Sequence, residues 1–156
     1  MQNAQIQQLL ESLQSTDEAI RQEATDRLWR LWFEQKGMSG THLLMESQTL
    51  LESGQAQAAE DLLNGVIRDQ PDFAEAWNRR AVLRFMAGRY PEAIADCKQT
   101  IELVPYHFGA LHGLGLCQAS LGNYEAAIAA FQQALEVQPY STINQRLLLE
   151  CTARLS

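Results

Sequence analysis

Basic clusters, paired cysteines and long apolar runs are all missing from this sequence of 156 residues. With 12 Lys and Arg against 19 Asp and Glu, the net charge is −7 and no stretch concentrates positive charge. A phosphate backbone or an anionic membrane surface would find no electrostatic footprint, so neither nucleic acid nor membrane is expected as a partner. No segment reaches the roughly 20 apolar residues of a bilayer span, which excludes membrane insertion by a helix. The opening MQNAQIQQLLESLQ lacks the basic, apolar and small-residue regions of a secretory signal, so a cytoplasmic location is expected. Cys97, Cys117 and Cys151 are odd in number, far apart and free of any CxxC pairing, a usage that suits buried, reduced thiols.

Catalytic signatures are missing as well. There is no P-loop, no HExxH and no GxSxG, and the glycines at 109, 113 and 115 fail the dinucleotide fingerprint because Gln118 holds its last place. The carboxylates form no isolated apolar pair that would raise a pKa for acid–base work. His107, His112 and Cys117 follow one another at five-residue steps, which on a helix turns successive side chains about 140° apart and off a shared face. No catalytic residue, metal ion or cofactor is therefore expected.

What the chain does have is a period. Pro71, Pro105 and Pro139 are spaced 34 residues apart, and so are Gly54, Gly88 and Gly122, and Ala59, Ala93 and Ala127. The units run from 40 to 73, 74 to 107 and 108 to 141. In each, an amphipathic segment ends at a glycine suited to a left-handed position after a helix. A second segment then runs to the residue before proline, where helical geometry is disfavoured. Each unit is thus a helix hairpin, and a fixed period of hairpins predicts an all-α solenoid in which every unit buries its apolar face on a neighbour. Asp72 and Glu75 form a candidate capping box for the second unit, and Pro91 suits a first helical position. Gly109, Gly113 and Gly115 leave room for the close approach of a neighbouring helix.

Residues 1–39 lie outside the period but carry two helical stripes of their own. Ile6, Leu9, Leu10 and Leu13 make one; Ile20, Ala24, Leu28, Leu31 and Trp32 make the other, which starts near a Ser15/Glu18 box and ends at Gly37. Residues 142–156 supply a last amphipathic helix that closes the array.

The units resemble tetratricopeptide repeats (TPR). The marks are Trp77 or Leu111 early in the first helix, Ala81 or Gly115 where the helices approach, Gly88-Arg89-Tyr90 or Gly122-Asn123-Tyr124 at the turn, then Ala93 and Ala127, Phe131, Ala134 and the closing prolines. The first unit is the weaker match, with Glu46, Ser47 and Ala56 in place of Leu, Gly and Tyr, and Arg84 stands where the family usually has Tyr. The whole chain looks like small stand-alone bacterial TPR proteins. The resemblance implies a right-handed superhelix whose concave side is lined by the first helix of each hairpin. Residues implied there include Leu44, Met45 and Gln48; Glu75, Asn78, Arg79, Val82, Phe85 and Met86; and His112 and Leu116, with Arg146 of the last helix at the edge. The spacing 75, 78, 79, 82, 85, 86 is itself one helical stripe, separate from the stripe through Trp77 and Ala81.

Such a lining suits a peptide or helix of another protein, so the expected function is a non-catalytic protein-interaction module: an adaptor, scaffold or assembly factor. Self-association or the positioning of an enzyme are the alternatives. Two questions stay open at this stage. The stripe is either a free groove or a face covered by the N-terminal helices, and Trp29, Trp32 and Phe33 either pack on the first repeat or form a second binding surface. The acidic chaperone tails that the family is best known for binding need a clamp of Lys, Asn, Asn, Lys and Arg. Leu44, Gln48, Arg79, Gly109 and Gly113 occupy those places here, and none matches.

Overall fold

The computed structural model describes residues 2–156, and among them the chain is helical throughout, without a strand. The helices are α1 (Gln2–Ser12), α2 (Glu18–Phe33), α3 (Gly37–Glu52), α4 (Ala56–Asp69), α5 (Ala74–Met86), α6 (Tyr90–Leu103), α7 (Phe108–Ser120), α8 (Tyr124–Val137) and α9 (Thr142–Arg154). Three hairpins, α3/α4, α5/α6 and α7/α8, stack in chain order and α9 packs on α8.

The glycine period sets the hairpin turns. Gly54, Gly88 and Gly122 have φ of +80°, +75° and +78°, a left-handed conformation that residues with a Cβ rarely adopt. Each closes its helix in the same way. In the first turn, Gly54 N donates to Leu51 O at 3.1 Å and Gln55 N to Leu50 O at 2.8 Å; the same pair recurs at 88/89 and 122/123. The second helices stop one residue short of the position before Pro71, Pro105 and Pro139.

Two local expectations are corrected. Asp17 rather than Ser15 caps α2, its Oδ1 accepting from Ala19 N at 2.9 Å. At α5 neither candidate caps the helix: Asp72 is drawn away to Lys36 Nζ at 2.7 Å, Glu75 is buried, and the Ala74 N–H donates instead to Gln35 Oε1 at 3.4 Å.

The core falls into three clusters. Leu44, Leu63, Phe73 and Leu83 hold the first two hairpins together. Ala127, Phe131 and Cys151 join the third hairpin to α9. Gly115 permits the tightest approach there, since a Cβ on it would sit 2.5 Å from the Phe131 ring. The third cluster of Leu9, Leu13, Leu28, Trp32 and Phe108 joins α1 and α2 to the start of α7.

Gly65 lies inside α4, and a methyl group added there would meet only the outer end of the Arg68 side chain, at 3.5 Å. Gly65→Ala should therefore raise stability by about 1 kcal/mol, because alanine gives up less backbone entropy in a helix. Urea unfolding checks this, and an unchanged or lower midpoint would count against it.

Candidate functional site

The concave face is built from the first helices of the hairpins, and its two halves have different fates. Over the N-terminal halves of α5 and α7 lies α2. It crosses both boundaries between hairpins and the one before α9, in the direction opposite to the order of the repeats. Near its start, the Arg21 guanidinium stacks 4.2 Å over the Tyr140 ring, and Gln138 Nε2 donates to Thr25 Oγ1 at 3.4 Å. Midway, Trp32 stacks on His107 with ring centres 4.0 Å apart, and Trp29 meets Phe108 edge-on at 5.3 Å. At its end, the Arg79 guanidinium lies 4.5 Å over the Phe33 ring, and Gln35 Nε2 donates to Asp72 O at 2.9 Å.

Of the two readings open for the aromatic residues, packing on the first repeat is met only in part. Trp29 and Trp32 pack mainly on the boundary between the second and third repeats, where Tyr106, His107 and Phe108 provide a ring surface. Gly109 makes this possible, because a Cβ there would lie 2.5 Å from Cη2 of Trp29. Of the three glycines expected to admit a neighbour, Gly109 admits Trp29 and Gly115 admits Phe131, whereas Gly113 has only an ordinary 3.4 Å contact to Cys97 Sγ.

Beneath α2 lies a polar cluster. Glu75 is fully buried, and its Oε1 accepts from Asn78 Nδ2 at 2.7 Å. His107 caps α7 by accepting from Ala110 N at its Nδ1, 3.0 Å away, so the proton of the neutral ring sits on Nε2. That nitrogen faces Glu75 Oε2 at 3.5 Å, too long for a good hydrogen bond. Arg79 Nε is 4.0 Å from Glu75 Oε1. Glu75 Oε2, Arg79 Nε and His107 Nε2 are thus buried without a hydrogen-bond partner among the described residues.

The candidate residues accordingly separate. Leu44 belongs to the core and Glu75 and Asn78 lie under α2, so these three offer no surface. Gln48 Oε1 accepts from Arg79 Nη1 at 3.2 Å, which ties both down. Phe85 is half-buried beside Tyr90. His112 Nδ1 meets Asn144 Oδ1 at 2.6 Å and fastens α7 to α9. Arg146 is exposed and pairs with Glu150 at 3.6 Å.

The C-terminal halves of the first helices stay open. Met45, Val82 and Met86 are 60%, 43% and 66% exposed. Beyond them Leu116, Ala119 and Ser120 of α7 face Leu147, Glu150 and Ala153 of α9 across a trough of about 530 Å³. The sequence reading singled out Trp29 and Trp32 but not their seat: it missed that His107 lies beneath them.

A tetratricopeptide repeat model matches residues 72–139. Those residues belong to the tetratricopeptide repeat family. A TPR repeat-containing protein of Rhizobium etli is 37% identical over 95 residues, which is 60% of this chain and 47% of that protein. The Bos taurus SGT1 homolog is 35% identical over 78 residues, 50% of this chain and 23% of that protein. The chain thus spans about half or less of the curated relatives it matches. Among solved structures, the first TPR domain of Spaghetti (RPAP3), bound to an HSP90 peptide, superposes with a TM-score of 0.71 at 19% identity, covering 74% of this chain and 91% of that one. MamA superposes with a TM-score of 0.69 at 21% identity, covering 84% and 74%. At these identities the likeness is one of fold.

Proposed function

We propose that the chain is a non-catalytic protein-interaction module that holds a segment of another protein against the open half of its concave face. The observation that carries this is the exposure of Met45, Val82 and Met86 on the first helices of the first two hairpins, together with the trough at Leu116 on that of the third. Exposed apolar rows on a folded array mark interaction sites, and flexible methionines fit partners of varied shape. The TPR domain of Spaghetti is described with an HSP90 peptide and that of yeast Sti1 with an Hsp70 complex. A ligand held by its carboxylates does not suit this chain. At the clamp positions, Leu44 is core, Gln48 and Arg79 bond to each other, and Gly109 lies under Trp29. The segment that fits is an apolar helix or strand, and the role is that of an adaptor, scaffold or assembly factor.

Arg79 and Phe85 are poor probes of this reading, because Arg79 supports Phe33 and Phe85 packs on Tyr90. Val82→Glu with Met86→Glu changes only exposed side chains, so circular dichroism should remain that of the parent. A partner co-purified by the parent from its native source should be lost by the double variant. A folded double variant that retains every partner would refute the reading.

A further inference from the structure

α2 fits the array as a ligand fits a receptor, and the fit is incomplete. Trp29 enters a space that exists only because residue 109 is glycine, and Trp32 stacks on His107. Under these rings Glu75 Oε2, Arg79 Nε and His107 Nε2 are buried without hydrogen-bond partners among the described residues. Permanent cores satisfy nearly all such groups. The indoles that rest on His107 carry one N–H donor each and no charge, so they add nothing to the pairing of Glu75, whose Oε1 has Asn78 at 2.7 Å and a loosely placed Arg79 Nε at 4.0 Å while its Oε2 has no donor. The tether is short: residues 34–36 join α2 to α3, and Gly37, with φ +69°, allows the chain to turn there.

We infer that α1 and α2 are an exchangeable, built-in occupant of the upper concave face. A partner's helix bearing two aromatic side chains three residues apart, and a basic side chain that reaches Glu75, takes their place. The aromatic spacing is that of the resident Trp29 and Trp32; the basic group is what the resident lacks. This rests on the concave-face reading above and deepens it, because the seat and the open row share α5: Asn78 lies under α2 and Val82, one turn on, is free.

Hydrogen exchange on the full chain provides the first test. Amides of α2 should exchange through an opening that leaves α5 to α8 protected, at least about tenfold faster than those helices. Exchange of α2 only together with the whole array would overturn the inference. The second test uses a fluorescein-labelled peptide of residues 15–36 as the incoming helix. In the parent, the tethered copy outcompetes it through its high effective concentration. Trp29→Ala weakens the resident and leaves the seat intact, so the peptide should bind that variant at least about tenfold more tightly than the parent. Gly109→Leu fills the space for Trp29 from the array side. It should free α2 in hydrogen exchange yet bind no peptide. If Trp29→Ala keeps a protected array but gains no affinity, or if Gly109→Leu binds the peptide equally well, the seat is not an exchange site. Neither variant touches Val82 or Met86, so these results stand apart from the test of the open row.

Discussion

Replacing Trp32 with alanine is expected to weaken the seating of α1 and α2 by about 3–5 kcal/mol, the usual loss for truncating a large buried aromatic. The side chain is almost fully buried. It contacts Trp29 edge-on at 5.1 Å, His107 at 4.0 Å and Phe108 at 4.9 Å, so one truncation opens a void against three rings. It also strips cover from His107 and, behind it, Glu75, and water then reaches a carboxylate that was closed off. The loss is comparable to the whole stability of a small domain, yet it falls on one element. Because the hairpins bury their faces on one another, α5 to α8 should stay folded while the α1 and α2 amides lose their protection from hydrogen exchange. An unchanged urea midpoint together with a protected α2 would show that the cluster contributes little to the fold.

The hairpins were legible in the sequence because their determinants are local. A glycine that must adopt positive φ and a proline that stops a helix act within a few residues of themselves, and here both recur at a fixed interval. The existence of α1 and α2 was legible for the same reason, through their apolar stripes. Their destination was not. Trp32 and His107 are separated by 75 positions, and no periodicity in either segment encodes that they stack. Gly109 carried the one available signal: a glycine one residue into α7, at a place implied to face inward, leaves room for a ring from elsewhere in the chain. Helical spacing groups residues 75, 78, 79, 82, 85 and 86 as one stripe, but spacing is blind to a second element lying across half of it. Glu75 and Asn78 are therefore buried, whereas Val82 and Met86 are not.

Arg84 is the other residue whose meaning depends on distant partners, and removing those partners should have an effect as large as the loss of Trp32. In the place where a tyrosine was expected, its guanidinium bridges Asp96 Oδ2 and Glu60 Oε2, each at 3.0 Å. Arg80 adds Nη2 to Asp96 Oδ1 at 2.8 Å and Nη1 to Asn64 Oδ1 at 2.9 Å, and Arg89 Nη1 reaches Glu60 Oε1 at 2.9 Å. One network thus joins α4, α5 and α6 across the seam between the first two hairpins. Asp96→Ala should cost about 3–5 kcal/mol, because it leaves the largely buried Arg80 guanidinium without a counter-charge and Arg84 with Glu60 alone, both facing a void. Asp96→Asn should cost less, since its oxygen still accepts one bond. Acid should act on the same network through Glu60. Hydrogen bonding to Arg89, with Arg84 adding to it, holds the Glu60 carboxyl below its ordinary 4.5 in the folded chain. The stability this gives is complete above the unfolded pKa and is lost as pH falls from there through the lower folded value. Glu60→Gln should therefore lower the urea midpoint at pH 7 and flatten the fall in stability below about pH 4.5. A parent-like acid limb in Glu60→Gln, or an Asp96→Ala variant within about 1 kcal/mol of the parent at pH 7, would mean that the network is solvated in solution and that apolar packing alone holds the seam.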